Sequence, residues 1–186
     1  MNSCLSTILL TGWLALSFAG RCAAAPPEKS EPATPTVPET LRPPATESLA
    51  FVAHAKGVQV YECRAKKDDP AQFEWALKGP DADLFDDHGR KIGRHYAGPT
   101  WESTDGSKVV GEVKSRADST DPEAIPWLLL VTKSREGSGV FSNVTSIQRL
   151  ETAGGKAPAG NCDASTAGKE VRVPYTATYF FYRPSL

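Results

Sequence analysis

Ten residues from Gly93 to Glu102 hold a histidine, two large aromatics, a Gly-Pro break and a carboxylate: Gly93-Arg94-His95-Tyr96-Ala97-Gly98-Pro99-Thr100-Trp101-Glu102. A histidine titrates near neutral pH, and a carboxylate on its second ring nitrogen fixes the tautomer. His95 with Glu102 or Asp105 is therefore the arrangement an acid/base catalyst would use. The opposing reading makes His95 a structural side chain that hydrogen-bonds between two strands. A third makes His95, Tyr96, Trp101, Glu102 and Asp105 a ligand-binding set, in which aromatic faces beside polar groups hold a sugar or a small amphipathic molecule. Trp127, Tyr175 and Tyr179 are expected in the core.

Other chemistries find less support. Asp86, Asp87, His88 and His95 have ligand types that suit zinc or copper. Yet Asp86-Asp87-His88-Gly89 is also ordinary turn composition, and no metal or other cofactor is expected. No G-x-S-x-G elbow offers a serine nucleophile, and Ser107 reads as a turn residue. Gly137-Ser138-Gly139-Val140-Phe141-Ser142 lacks the last glycine of a dinucleotide fingerprint and opens no helix. Asn143-Val144-Thr145 is a glycosylation sequon, meaningful only in a eukaryotic secretory pathway. With 21 Lys and Arg against 22 Asp and Glu, the formal net charge is −1. No basic run exceeds Arg64-Ala65-Lys66-Lys67, so neither nucleic acid nor an anionic membrane has an electrostatic footprint.

These residues need a scaffold and a compartment. Ile8 to Ala19 is an apolar run too short to span a bilayer, followed by small residues at Cys22-Ala23-Ala24-Ala25. That is the pattern of a secretory signal peptide over residues 1–24, although Met1 to Leu10 lacks the usual basic residues. A lipoprotein reading of Cys22 conflicts with Arg21 immediately before it. No other run approaches membrane-spanning length. Residues 25–45 are proline-dense and polar and read as an extended linker. A single domain is expected over residues 46–186, exported to the periplasm or the extracellular space.

Export would leave Cys63 and Cys162, and two cysteines in an exported chain are expected to pair. Within the domain, period-two alternation marks short strands. Leu49 to His54 and Val58 to Cys63 flank Gly57, a tight connection or a bulge. Phe73 to Leu77 is closed by Lys78-Gly79-Pro80-Asp81. Lys91 to Tyr96 ends at Pro99, and Asp105-Gly106 reads as a hairpin turn between Thr100-Trp101-Glu102 and Lys108 to Val113. Ile125 to Val131 is apolar without alternation and reads as a central strand buried on both faces. In the last strand Val171, Val173, Tyr175, Ala177, Tyr179 and Phe181 share one face. About nine short strands predict a mainly β, disulfide-stapled, antiparallel sandwich or barrel.

Several motifs in fixed order strengthen this reading. They are Gly57-Val58-Gln59-Val60-Tyr61-Glu62-Cys63, Gly93 to Glu102, Asp105-Gly106-Ser107, Ile125-Pro126-Trp127-Leu128-Leu129, Ile147-Gln148-Arg149, Gly154-Gly155, Ala157-Pro158, Cys162 and Val173-Pro174-Tyr175-Thr176-Ala177. Together they resemble the exported family catalogued as domain of unknown function 3455, over roughly Ser48 to Tyr182. The resemblance implies export and a single domain, places both cysteines in the family pattern, and brings no activity with it. The expected function is non-enzymatic binding of a small molecule, glycan or protein. The alternatives are a hydrolase built on His95 with a carboxylate, or a structural envelope or matrix protein.

Overall fold

The computed structural model describes residues 37–186, so the expected signal peptide and most of the expected linker lie outside the described residues. Eight antiparallel strands follow one another around a closed barrel: β1 (Glu47–Ala65), β2 (Phe73–Phe85), β3 (Lys91–Tyr96), β4 (Thr100–Ser103), β5 (Lys108–Ala117), β6 (Trp127–Glu136), β7 (Ser146–Gly154) and β8 (Glu170–Pro184). Every strand pairs with its sequence neighbours, and β8 returns to pair with β1 from Glu47↔Pro184 to Glu62↔Glu170. Closure removes the exposed edges that an open sheet would present to other chains.

Eight strands rather than nine reflects two continuous strands where the sequence suggests breaks. At Gly57 the chain does not turn. The backbone of β2 approaches so closely that a Cβ there would fall on Asp81 and Ala82. The 19-residue β1 therefore runs straight through, with bulges between Leu49 and Phe51 and between Val60 and Tyr61. Gly79-Pro80 likewise lies within β2, where Pro80 pairs with Gln59.

Two apolar groups hold the barrel. Inside, one end is filled by Phe141, Phe181, Val144, Ile147 and Ala53, with Phe51 packed against them. Phe51 stacks on Phe181 at 4.6 Å between centroids. Outside, Trp127, Leu129, Leu150, Phe180 and Tyr182 form a second patch over β6, β7 and β8. Thus β6 is buried on both faces over Trp127 to Leu130, within its unbroken apolar run, with Leu128 and Leu130 inward and Trp127 and Leu129 outward.

The cover on that outer patch comes from residues whose composition reads as linker: Glu39–Leu41 forms a short 3-10 turn and Leu41 is completely buried. The Gln148 side-chain amide donates to the Leu41 carbonyl at 2.6 Å, and the Tyr182 hydroxyl donates to Gln148 at 2.6 Å. One leucine and one backbone carbonyl are enough to dock a proline-rich segment whose composition alone argues against order.

Elsewhere the outer wall is charged. Lys78 bridges Glu62 and Glu170, Arg94 and Arg172 share Asp81, and Lys91 meets Asp83. Such a wall is the opposite of the apolar band that a lipid-facing barrel needs, and no described helix is long and apolar enough to cross a membrane. Cys63, near the end of β1, is disulfide-bonded to Cys162 in the β7–β8 loop, with a sequence separation of 99.

Two measurements check these assignments. Leu41→Ala should lower stability by about 2–4 kcal/mol in urea denaturation, since it empties a fully buried site, whereas a linker residue would cost nothing. Replacing both cysteines by alanine should lower stability by roughly 3–5 kcal/mol, the scale set by closing so long a loop. An unchanged denaturation midpoint would remove the staple from the account.

Candidate functional site

Strand alternation decides which members of the 93–102 stretch can act together. On β3, Gly93 and His95 face inward while Arg94 and Tyr96 face outward. On β4 the register sets Trp101 opposite His95 and Glu102 opposite Arg94. His95 and Trp101 are both buried and stack with ring centroids 4.3 Å apart and planes 9° from parallel. Tyr179 from β8 stands edge-on to both, at 5.0 Å from His95 and 5.3 Å from Trp101. Each such aromatic pair contributes about 0.5–1.5 kcal/mol beyond area burial, so this trio also fixes the inner wall.

The other expected residues lie elsewhere. Tyr96 donates to Glu102 at 2.9 Å on the outer face. Asp105 sits in the β4–β5 turn, where Oδ1 accepts from the Ser107 amide at 2.8 Å and the Ser107 hydroxyl at 2.6 Å, and Oδ2 accepts from the Val140 amide at 2.9 Å. These donors, led by the Ser107 hydroxyl, hold its carboxyl down at about 2. A Cβ at Gly139 would collide with that carboxylate, which gives the Gly137-Ser138-Gly139 segment a turn-packing role.

The acid/base pairing of His95 with Glu102 or Asp105 is therefore contradicted. His95 Nδ1 donates instead to the Thr100 carbonyl at 2.9 Å. A carbonyl can only accept, so Nδ1 carries the proton and Nε2 is a bare acceptor. Burial is the main reason the imidazole pKa falls to about 3, and the nearby Arg149 charge acts in the same direction. At neutral pH this ring is uncharged. The suggested metal ligands also separate: Asp86 binds Arg90 and the His88 amide, Asp87 pairs with His54, and His95 is inside the barrel. Among the described residues no three His, Cys, Asp or Glu side chains converge on a metal-sized site.

His95 and Trp101 instead border a cavity of about 350 Å³ at the end of the barrel opposite the packed phenylalanines. Its apolar wall includes Leu77, Pro99, Val113, Ile125, Leu128 and Leu130, and its polar wall Gln59, Tyr61, His95, Arg149 and Tyr179. The register places Arg149 of β7 between Leu128 of β6 and Tyr179 of β8. Its Nη2 and Nε donate to the Pro126 carbonyl at 2.8 and 3.2 Å. Tyr61 donates to the Gly155 carbonyl at 2.7 Å. Burial raises the pKa of the Tyr61 and Tyr179 hydroxyls, and the Arg149 charge partly offsets that rise. Gln59 Nε2 and Trp101 Nε1 are buried with no protein partner, while the Tyr175 and Tyr179 hydroxyls lie beside each other and Tyr179 lies beside Arg149.

Sequence reasoning missed Gln59, Tyr61 and Arg149 as site residues. Each lies in a quoted motif, but none carries a local sign of facing inward beside His95. A weak signal existed for Arg149: it is the one cation in β7 and shares its strand parity with Ile147.

The neutral histidine gives a pH test. Its folded pKa lies below the unfolded value near 6.5, so the unfolded chain takes up the proton first. Its effect on stability is complete above about pH 6.5 and turns into a loss as pH falls toward 3, at up to roughly 1.4 kcal/mol per pH unit. His95→Gln should flatten the decline of the urea midpoint between pH 6.5 and 4. An unchanged slope would contradict a buried neutral imidazole.

No curated protein matches the chain, and no solved structure matches it. A family model described as protein of unknown function DUF3455 matches residues 44–183. The matched region spans the barrel from just before β1 into the end of β8 and contains every residue that borders the cavity. On that match the chain belongs to the DUF3455 family.

Proposed function

We propose that this is an exported binding protein that holds a small amphipathic molecule inside the open end of its barrel. The observation that carries the reading is the cavity: about 350 Å³, apolar on one wall, lined on the other by placed hydrogen-bonding groups. That volume lies within the range of small-molecule sites, and eight-stranded barrels are wide enough to hold one small ligand.

The rim supports it. Leu77 and Val113 remain 56% and 43% exposed, and both border the cavity. Apolar side chains left in water at the mouth of a polar-lined hole suit an amphipathic ligand entering there. His95 and Trp101 keep a place in this reading as wall residues. Tyr96, Glu102 and Asp105 do not, since they stabilise the outer face and a turn. Export is supported by the signal-like residues 1–24 and by a disulfide, which persists in oxidising compartments. Catalysis has no matching support, because the buried histidine has neither a carboxylate partner nor a nucleophile beside it.

A fluorescent amphipathic dye, anilinonaphthalene sulfonate, should bind the folded protein saturably at one site per chain. Val113→Trp should block the mouth and abolish that binding with the thermal midpoint unchanged, as expected for a substitution at an exposed position. Undiminished binding to a folded Val113→Trp protein would place the dye elsewhere and overturn the cavity reading.

A further inference from the structure

The walls of the cavity carry more donors than acceptors. Gln59 Nε2 and Trp101 Nε1 are buried and unpartnered, in residues only 1% exposed. An amide NH2 and an indole N–H can only donate. Arg149 adds a guanidinium whose Nε and Nη2 share one carbonyl and which meets no carboxylate among the described residues. No Asp or Glu borders the cavity, and at its mouth stand two further cations, Lys78 and Arg116. Lys78 is already shared between Glu62 and Glu170. The guanidinium of Arg149 is thus a half-buried positive charge with no counter-ion among the described residues.

We infer that the occupant is a small organic anion, an apolar body bearing one carboxylate or equivalent oxyanion, held with its charge on Arg149. This rests on the reading of the cavity as a binding site. Water can satisfy the guanidinium N–H groups singly, but only an anion also answers the unpaired charge. A guanidinium presents its N–H groups in a fork that matches two oxyanion oxygens. Leu128 and Leu130 of β6, beside Arg149 and Ile147 in the register, cover a hydrocarbon or aromatic body. A sugar fits less well. Its many hydroxyl donors need acceptors, and this wall offers few beyond His95 Nε2 and Gln59 Oε1. A metal cation would face the repulsion of Arg149 with no carboxylate to hold it.

Calorimetric titration of the intact domain with octanoate and 1-octanol, and with phenylacetate and 2-phenylethanol, separates the claims. Each carboxylate should bind roughly ten-fold or more tightly than its alcohol, the scale of one charge-assisted hydrogen bond. Arg149→Gln should erase that preference, and Arg149→Lys should restore part of it. The preference in the wild-type protein decides the matter even if the variants fold poorly. Equal affinity for acid and alcohol would overturn the anion and leave the cavity reading standing. Binding of none of the four probes would remove both, and selective capture of a neutral monosaccharide would replace the anion with a sugar.

Discussion

Everything in this molecule depends on the pairing of β1 with β8. Because β1 is 19 residues long, it pairs along one side with β2 and along the other with β8, and the sheet becomes a cylinder. Closure fixes the diameter at that of eight strands, so the interior must either be filled by side chains or left as a cavity. Both outcomes occur at different heights. Phenylalanines at 51, 141 and 181 fill one end, and at the other the wall carries Gln59, Tyr61, Arg149 and Tyr179 around an opening. The Cys63–Cys162 bond ties the end of β1 to the loop that leads into β8, so the covalent crosslink and the closing seam reinforce each other.

Polar groups line part of the interior at the cavity end. Its one imidazole is neutral, oriented by the Thr100 carbonyl and stacked on Trp101. Its one guanidinium is anchored by the Pro126 carbonyl. A charge held in a partly desolvated place is costly unless something pairs with it. That cost is the physical reason behind the proposal of an anionic occupant.

Strand alternation made much of this legible in the sequence. The shared face of Tyr175, Ala177, Tyr179 and Phe181 points inward as its period predicts, and the Asp105-Gly106 turn joins β4 to β5. His95 and Trp101 were recognisable as an unusual pair, although the same period-two rule sends Tyr96 and Glu102 to the other face. What local reading could not supply was register. Arg149 becomes a cavity residue only because β7 lies between Leu128 and Tyr179, and Gln59 and Tyr61 join it from the far end of the chain. Gly57 and Gly79-Pro80 look like breaks, yet they are places where neighbouring backbone comes close or a long strand bends. Leu41 is similar, since its burial is decided by an apolar patch on β6 to β8 that no window around residue 41 reveals.

The most direct test of the central claim is a crystal structure of the domain grown with phenylacetate. The account predicts the ring between Trp101 and the leucines of β6, with both carboxylate oxygens within hydrogen-bond distance of Arg149. A barrel interior with no bound phenylacetate, or one with the carboxylate turned out toward solvent and Arg149 still bonded only to Pro126, would contradict it.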